Sequence, residues 1–202
     1  MSRDTPLINP VFLAACAIIT ISFAIRGAFG VFQIPIAEEF NWPRAEFSMA
    51  IAIQNLFWGI GQPIFGAIAE RIGDRKAVFL GALLYAAGLV LSAFATTPFS
   101  LQSLEVLVGL GVAGTGFGVI LAIVARSSSD ENRSMAMAIT TAAGSLGQVV
   151  GAPVAEWLLT FMPWQNVFVV FAVGILSILF ALPFLRAPET PSTEVDERMA
   201  EV

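Results

Sequence analysis

The chain has 202 residues, 57% hydrophobic and 12% charged, with a formal net charge of -5. A soluble domain carries about 25% charged residues, so this composition excludes an ordinary water-soluble globule and describes a chain whose solvent is lipid. With no histidine and one cysteine, Cys16, zinc and redox centres have almost no ligands to draw on; no basic stripe suggests nucleic acid.

Six apolar stretches follow in chain order, at 11–36, 46–69, 77–96, 99–125, 134–160 and 164–185. Each suffices to cross a hydrocarbon core about 30 Å thick as a helix. The first is too long for a signal peptide, and no small-residue cleavage site follows it. Within it, "SFAIRGAFGVF" at 22–32 places Arg26 near the middle of an otherwise apolar run. An arginine there costs about 2.5–3.5 kcal/mol on insertion scales and needs a counter-charge or water. At about 100° per residue, Ser22, Arg26, Gly30 and Gln33 share one helical stripe.

In the second helix Asn55, Gly59, Gln62 and Gly66 form a similar stripe. The third has little polarity beyond Tyr85 and Ser92, and the sixth little beyond Ser177, so both are expected to face acyl chains on most sides. The fourth offers Glu105, Gly109 and Gly116; the fifth offers Thr140, Gly144, Gly147 and Gly151, with Gln148 beside them. Close helix packing is the first explanation for Gly59, Gly144, Gly147 and Gly151, since small residues let helices approach in lipid. Gln62 and Gln148 could bridge helices or line a solute path. Pro63 and Pro153, late in helices two and five, could bend them.

The chain also repeats itself. "SMAIAI" at 48–53 recurs as "SMAMAI" at 134–139, and the same offset aligns Gly61-Gln62 with Gly147-Gln148 and Glu70 with Glu156. "FGVF" at 29–32 meets "FGVI" at 117–120 after a two-residue gap. Because helix one and helix four start on opposite sides, the two three-helix copies must be inverted. The expected fold is an all-α membrane protein of six spans. Its parts are an N-terminal segment (1–10), a first repeat (11–96), a second repeat (97–186) and a polar tail (187–202). With the N-terminus inside, Arg3, Arg71, Arg75, Lys76, Arg126, Arg133, Arg186 and Arg198 lie inside and Arg44 outside, so both termini are expected to be cytoplasmic.

Three readings of Arg26 stay open. It could bind the carboxylate of a small organic anion through its planar donor fork; it could pair with Glu105; or it could be solvated by water alone. Arg26 and Glu105 differ in depth by only about 5 Å at 1.5 Å per residue, so a pair is within reach. No nucleophile and base constellation supports an enzyme.

The loop "GAIAERIGDRK" at 66–76 resembles the signature between the second and third helices of major facilitator superfamily transporters, with Gly66, Glu70, Arg71, Gly73 and Arg75 in the matching positions. Glu70 stands where aspartate is usual, and Asp74 where a base is usual. The resemblance implies a charge network that stabilises one conformation of the transporter. "GSLGQVVGAPVAEW" in helix five is similar to that family's glycine-proline motif, with Ala152 interposed. The helix-four motif is not met, because Glu105 rather than arginine precedes Gly109. "RGAFGVFQIPIAEEFNWPRAEFSMA" resembles the bacterial monocarboxylate-transporter-like branch that includes oxalate/formate-type exchangers.

The resemblance implies a secondary active transporter in the bacterial inner membrane. Its expected substrate is a small organic anion such as a monocarboxylate, with a proton as the candidate coupling ion and without a cofactor. Arg26, Gln33, Asn55, Gln62 and Gln148 are the candidate substrate contacts, and Glu105 the coupling or ion-pair residue. Family members usually carry twelve helices in two halves, so a second six-helix half is expected, as further chain or as a second copy. The alternative is a non-transporting scaffold or an inactive remnant.

Overall fold

Asn9 opens the first helix: its side chain accepts the Phe12 N–H at 2.9 Å, and Pro10 takes the first helical position, where its missing donor costs nothing. The computed structural model describes residues 6–185. The expectations for Arg3, Arg186, Arg198 and the polar tail fall outside them. The helix α1 (Pro10–Phe40) tightens to a 3-10 turn at Phe29–Phe32 and stops at Asn41, which adopts the left-handed conformation.

Helix α2 (Arg44–Ile72) ends at Gly73, whose φ of 96° suits glycine and frees the chain to reverse into α3 (Asp74–Ser92). Thr97 and Ser100 form a capping box for α4 (Pro98–Ser127), which is interrupted at Gly116, an extended residue between two helical segments. Helices α5 (Arg133–Leu159) and α6 (Trp164–Phe184) complete the six. Five are long and apolar enough to cross a membrane. In α2 the pairs Gln54-Asn55 and Gln62-Pro63 depress the hydropathy.

The two copies interlock. α1 lies along α5 and α4 along α2, so each repeat's first helix packs on the other repeat's second. Glycines make the crossings close. A Cβ on Gly151 would fall on the Ala24 carbonyl, one on Gly147 on the Thr20 carbonyl, and one on Gly61 2.6 Å from the Ala113 Cβ. Close packing therefore accounts for Gly147 and Gly151. It does not account for Gly59, which is exposed and faces open space.

The expectation that α3 and α6 meet lipid on most sides needs correction for α3. α3 buries a full face against α4, including Tyr85 and Ser92, and shows only the opposite face, Phe79, Leu80, Leu83 and Leu91. The cause is paired small residues: a Cβ on Gly81 would sit 2.7 Å from the Gly114 Cα, and one on Gly111 would strike the Tyr85 backbone. α6 buries one stripe, Val167, Phe168, Phe171 and Ile175, and leaves the larger part of its surface, with Val169, Val170, Val173 and Phe180, outside the core, as expected. At the centre, Tyr85 OH donates to the Ser22 carbonyl at 3.2 Å, and the Ser22 and Thr115 hydroxyls bond at 2.8 Å, so neutral groups join α1, α3 and α4.

Candidate functional site

Close approach of α1 to α5 brings Arg26 to its partners. A Cβ on Gly27 would lie 2.8 Å from the Gln148 Cα, so the two backbones touch beside the arginine. Arg26 Nη1 donates to Gln148 Oε1 at 3.3 Å and Nη2 to Asn55 Oδ1 at 2.6 Å. Asn55 spends its own amide N–H on the Ile51 carbonyl at 2.9 Å, which turns its oxygen toward the guanidinium. The guanidinium carbon stands 4.4 Å from the centre of the Trp58 ring and 5.8 Å from that of Phe23. Phe23 in turn meets Trp58 edge-on and packs 4.4 Å from the Phe117 ring centre.

These partners are neutral or aromatic, so they orient the cation without cancelling it. Among the described residues no carboxylate lies within ion-pair distance of Arg26, and its buried Nε has no hydrogen-bond partner. The residue is half-buried. It neither points among acyl chains with no polar company nor lies sealed in the core.

Glu105 has a different setting. It is 1% exposed, and its Oε2 accepts the Gln54 amide at 2.8 Å while Oε1 has no partner. One turn along, a Cβ on Gly109 would collide with the Gln54 carbonyl, so α4 presses this stripe into α2. No Arg26–Glu105 ion pair forms, because the two face different seams.

The remaining sequence candidates are spread out. Gln62 places its Oε1 3.2 Å from where a Gly118 Cβ would stand, near the interruption in α4. Gln33 lies two turns beyond Arg26 and donates to the Ser48 hydroxyl at 3.1 Å and the Arg44 carbonyl at 3.3 Å. In the loop motif, Gly66 faces open space and Gly73 makes the turn. Arg75 Nη2 donates to the Pro183 carbonyl at 2.5 Å, at the end of α6. Glu70 and Arg71 are exposed and make no ion pair among the described residues. Asp74, which stands where the family pattern has a base, pairs with Arg126 at 2.6 Å.

Sequence reasoning missed Gln54 and Trp58. Trp58 follows Asn55 by three residues, a spacing that puts both on one helical face, and that spacing was the available signal. Gln54 gave none, since its partner sits on a helix 51 residues away.

A family model described as Major Facilitator Superfamily matches residues 14–201. Monocarboxylate transporter 13 of Bos taurus is 30% identical over 168 residues, 81% of this chain and 38% of that protein. Multidrug resistance protein MdtH of Photorhabdus laumondii is 32% identical over 87% of this chain and 45% of its own length. The chain thus spans less than half the length of these relatives. Among solved structures, the inward open xylose transporter XylE from E. coli superposes with a TM-score of 0.75 at 16% identity, covering 93% of this chain and 50% of that one. A bacterial homolog of the human lysosomal transporter Spinster, inward-facing and unoccupied, gives 0.74 at 21% identity, covering 88% and 43%. At such identities the likeness is one of fold.

Proposed function

The chain belongs to the major facilitator superfamily, and we propose that it forms the anion-binding half of a secondary transporter for small organic anions, monocarboxylates first among them. One observation carries this reading: a guanidinium is held in the membrane by Asn55 and Gln148, both neutral, on a face left half-open. A membrane-embedded cation without a counter-charge awaits one. A carboxylate offers two oxygens to its planar fork.

The charge count narrows the class. Among the described residues Arg26 is the one cation in the middle of a span, whereas Arg44, Arg71, Arg75, Lys76, Arg126 and Arg133 stand at helix ends. A single site charge flanked by Phe23 and Trp58 suits one carboxylate on a compact, partly apolar body better than a dianion. That fits the similarity to monocarboxylate transporters.

In the proposed cycle Arg26, Asn55 and Gln148 contact the anion, while Gln62 and Gln33 line its approach. Glu105 is the candidate carrier of a coupling proton. A second six-helix unit covers the open face and alternates with this one between inward and outward access. The loop around Gly66, Glu70, Arg71, Gly73 and Arg75 steadies one of those states. We place the protein in a bacterial inner membrane with both termini cytoplasmic.

The test is binding and exchange of labelled lactate by the purified chain, in detergent and in proteoliposomes. Arg26→Lys keeps the charge but loses the fork, so the affinity should fall about tenfold or more, since a hydrogen bond to a charged group is worth about 1.5–3 kcal/mol. Wild-type uptake by a normally inserted Arg26→Lys protein rules out the bidentate role.

A further inference from the structure

Trp58 is the group beside Arg26 that the anion reading does not yet use. Its indole nitrogen is buried and has no hydrogen-bond partner, and the Nε of Arg26, whose guanidinium stacks 4.4 Å from the same ring, is buried and unpartnered too. An indole N–H only donates, and a buried one normally finds an acceptor. Two such donors on adjoining groups therefore lack the same thing. Trp58 Nε1 faces α4 where that helix leaves helical geometry, 3.5 Å from where a Gly116 Cβ would stand.

We propose that Trp58 is a substrate-contacting residue whose ring braces the Arg26 guanidinium and whose indole N–H donates to the carboxylate that Arg26 binds. The assignment rests on the anion reading and deepens it. A guanidinium stacked on a ring has its fork held in one plane, so less side-chain freedom is lost when the anion arrives. A neutral donor next to the cation adds a directed bond without a second charge. The pocket thereby favours a carboxylate over a chloride ion, which a point charge would hold equally well. The rest of the anion would lie against Phe117, a partly buried ring that packs 4.4 Å, centre to centre, on the buried Phe23.

The experiment uses purified full chain and two probes, sodium lactate and its neutral analogue lactamide, at constant ionic strength. Calorimetry on wild type, Trp58→Phe, Trp58→Leu and Arg26→Lys separates the parts. Trp58→Phe keeps the brace and removes the donor, and should raise the lactate Kd about tenfold; Trp58→Leu removes both and should raise it further. In protein labelled with 5-fluorotryptophan, the fluorine resonance missing from Trp58→Phe should move with lactate and stay still with lactamide. This second readout needs the Trp58→Phe protein only to assign the resonance, not to bind lactate. Lactate binding that depends on Arg26 but is unchanged in Trp58→Phe, or a Trp58 resonance indifferent to bound lactate, overturns the Trp58 assignment alone. Absence of any carboxylate binding by wild type overturns both this inference and the reading beneath it.

Discussion

The two repeats meet along two seams of one design, and the seams differ in what they do with their charge. Where α1 crosses α5, Gly27, Gly147 and Gly151 bring backbones together, and Arg26 emerges half-buried between two amides and two aromatic rings. Where α2 crosses α4, Gly61 and Gly109 do the same, yet Glu105 is sealed beneath Gln54 with one hydrogen bond. Identical packing logic thus yields one open cation and one closed acid. Exposure, rather than the presence of a charge in a span, separates a group poised to meet a solute from one that can only respond to changes inside the protein.

The comparison breaks most severely if the seams themselves fail. Gly151→Leu drives a branched side chain onto the Ala24 carbonyl, where backbone cannot yield, and should cost at least about 3 kcal/mol by overpacking; loss of a monodisperse species in size-exclusion chromatography reports it. Gly59→Leu, on the open face, should leave that profile unchanged. Weakening of the proposed lactate site through Arg26→Lys comes next in size.

Glu105→Gln sharpens the contrast, because a neutral amide can still bond Gln54. Lactate affinity should stay within about twofold, since no ion pair joins the acid to Arg26, while the pH dependence of uptake in proteoliposomes flattens. Retained pH dependence would remove Glu105 from the coupling role. The smallest effect belongs to Asp74→Asn, which breaks the partly exposed pair with Arg126. Thermal unfolding should register about 1 kcal/mol or less, shrinking with added salt.

The spans could be read from sequence because apolar length is a local property. α2 was found despite its poor hydropathy, since its apolar run outlasts the Gln54-Asn55 interruption. The glycines were harder: Gly59 and Gly147 look alike in a string, and only the neighbouring helix decides that one packs and the other faces open space. Tyr85 misled for a related reason, as a lone polar residue in an apolar helix suggests a lipid-facing scaffold until Gly81 and Gly111 are seen to draw α3 against α4. At the site, helical spacing already put Arg26 and Asn55 on polar stripes, and the structure unites them with Gln148. The choice of Gln54 as companion to Glu105 depends on contacts between distant segments, which periodicity within one helix does not carry.

The hydroxyl joint of Tyr85, Ser22 and Thr115 has a consequence for how this unit can move. Serine and threonine neither ionise nor attract counterions, so the pin through α1, α3 and α4 grips equally in acid and at neutrality, in dilute buffer and in brine. A change in the surrounding ions must enter the bundle by other doors: Arg26, Glu105, or the charged rims. α1, α3 and α4 are thereby held together at a joint that no change in the surrounding ions can loosen.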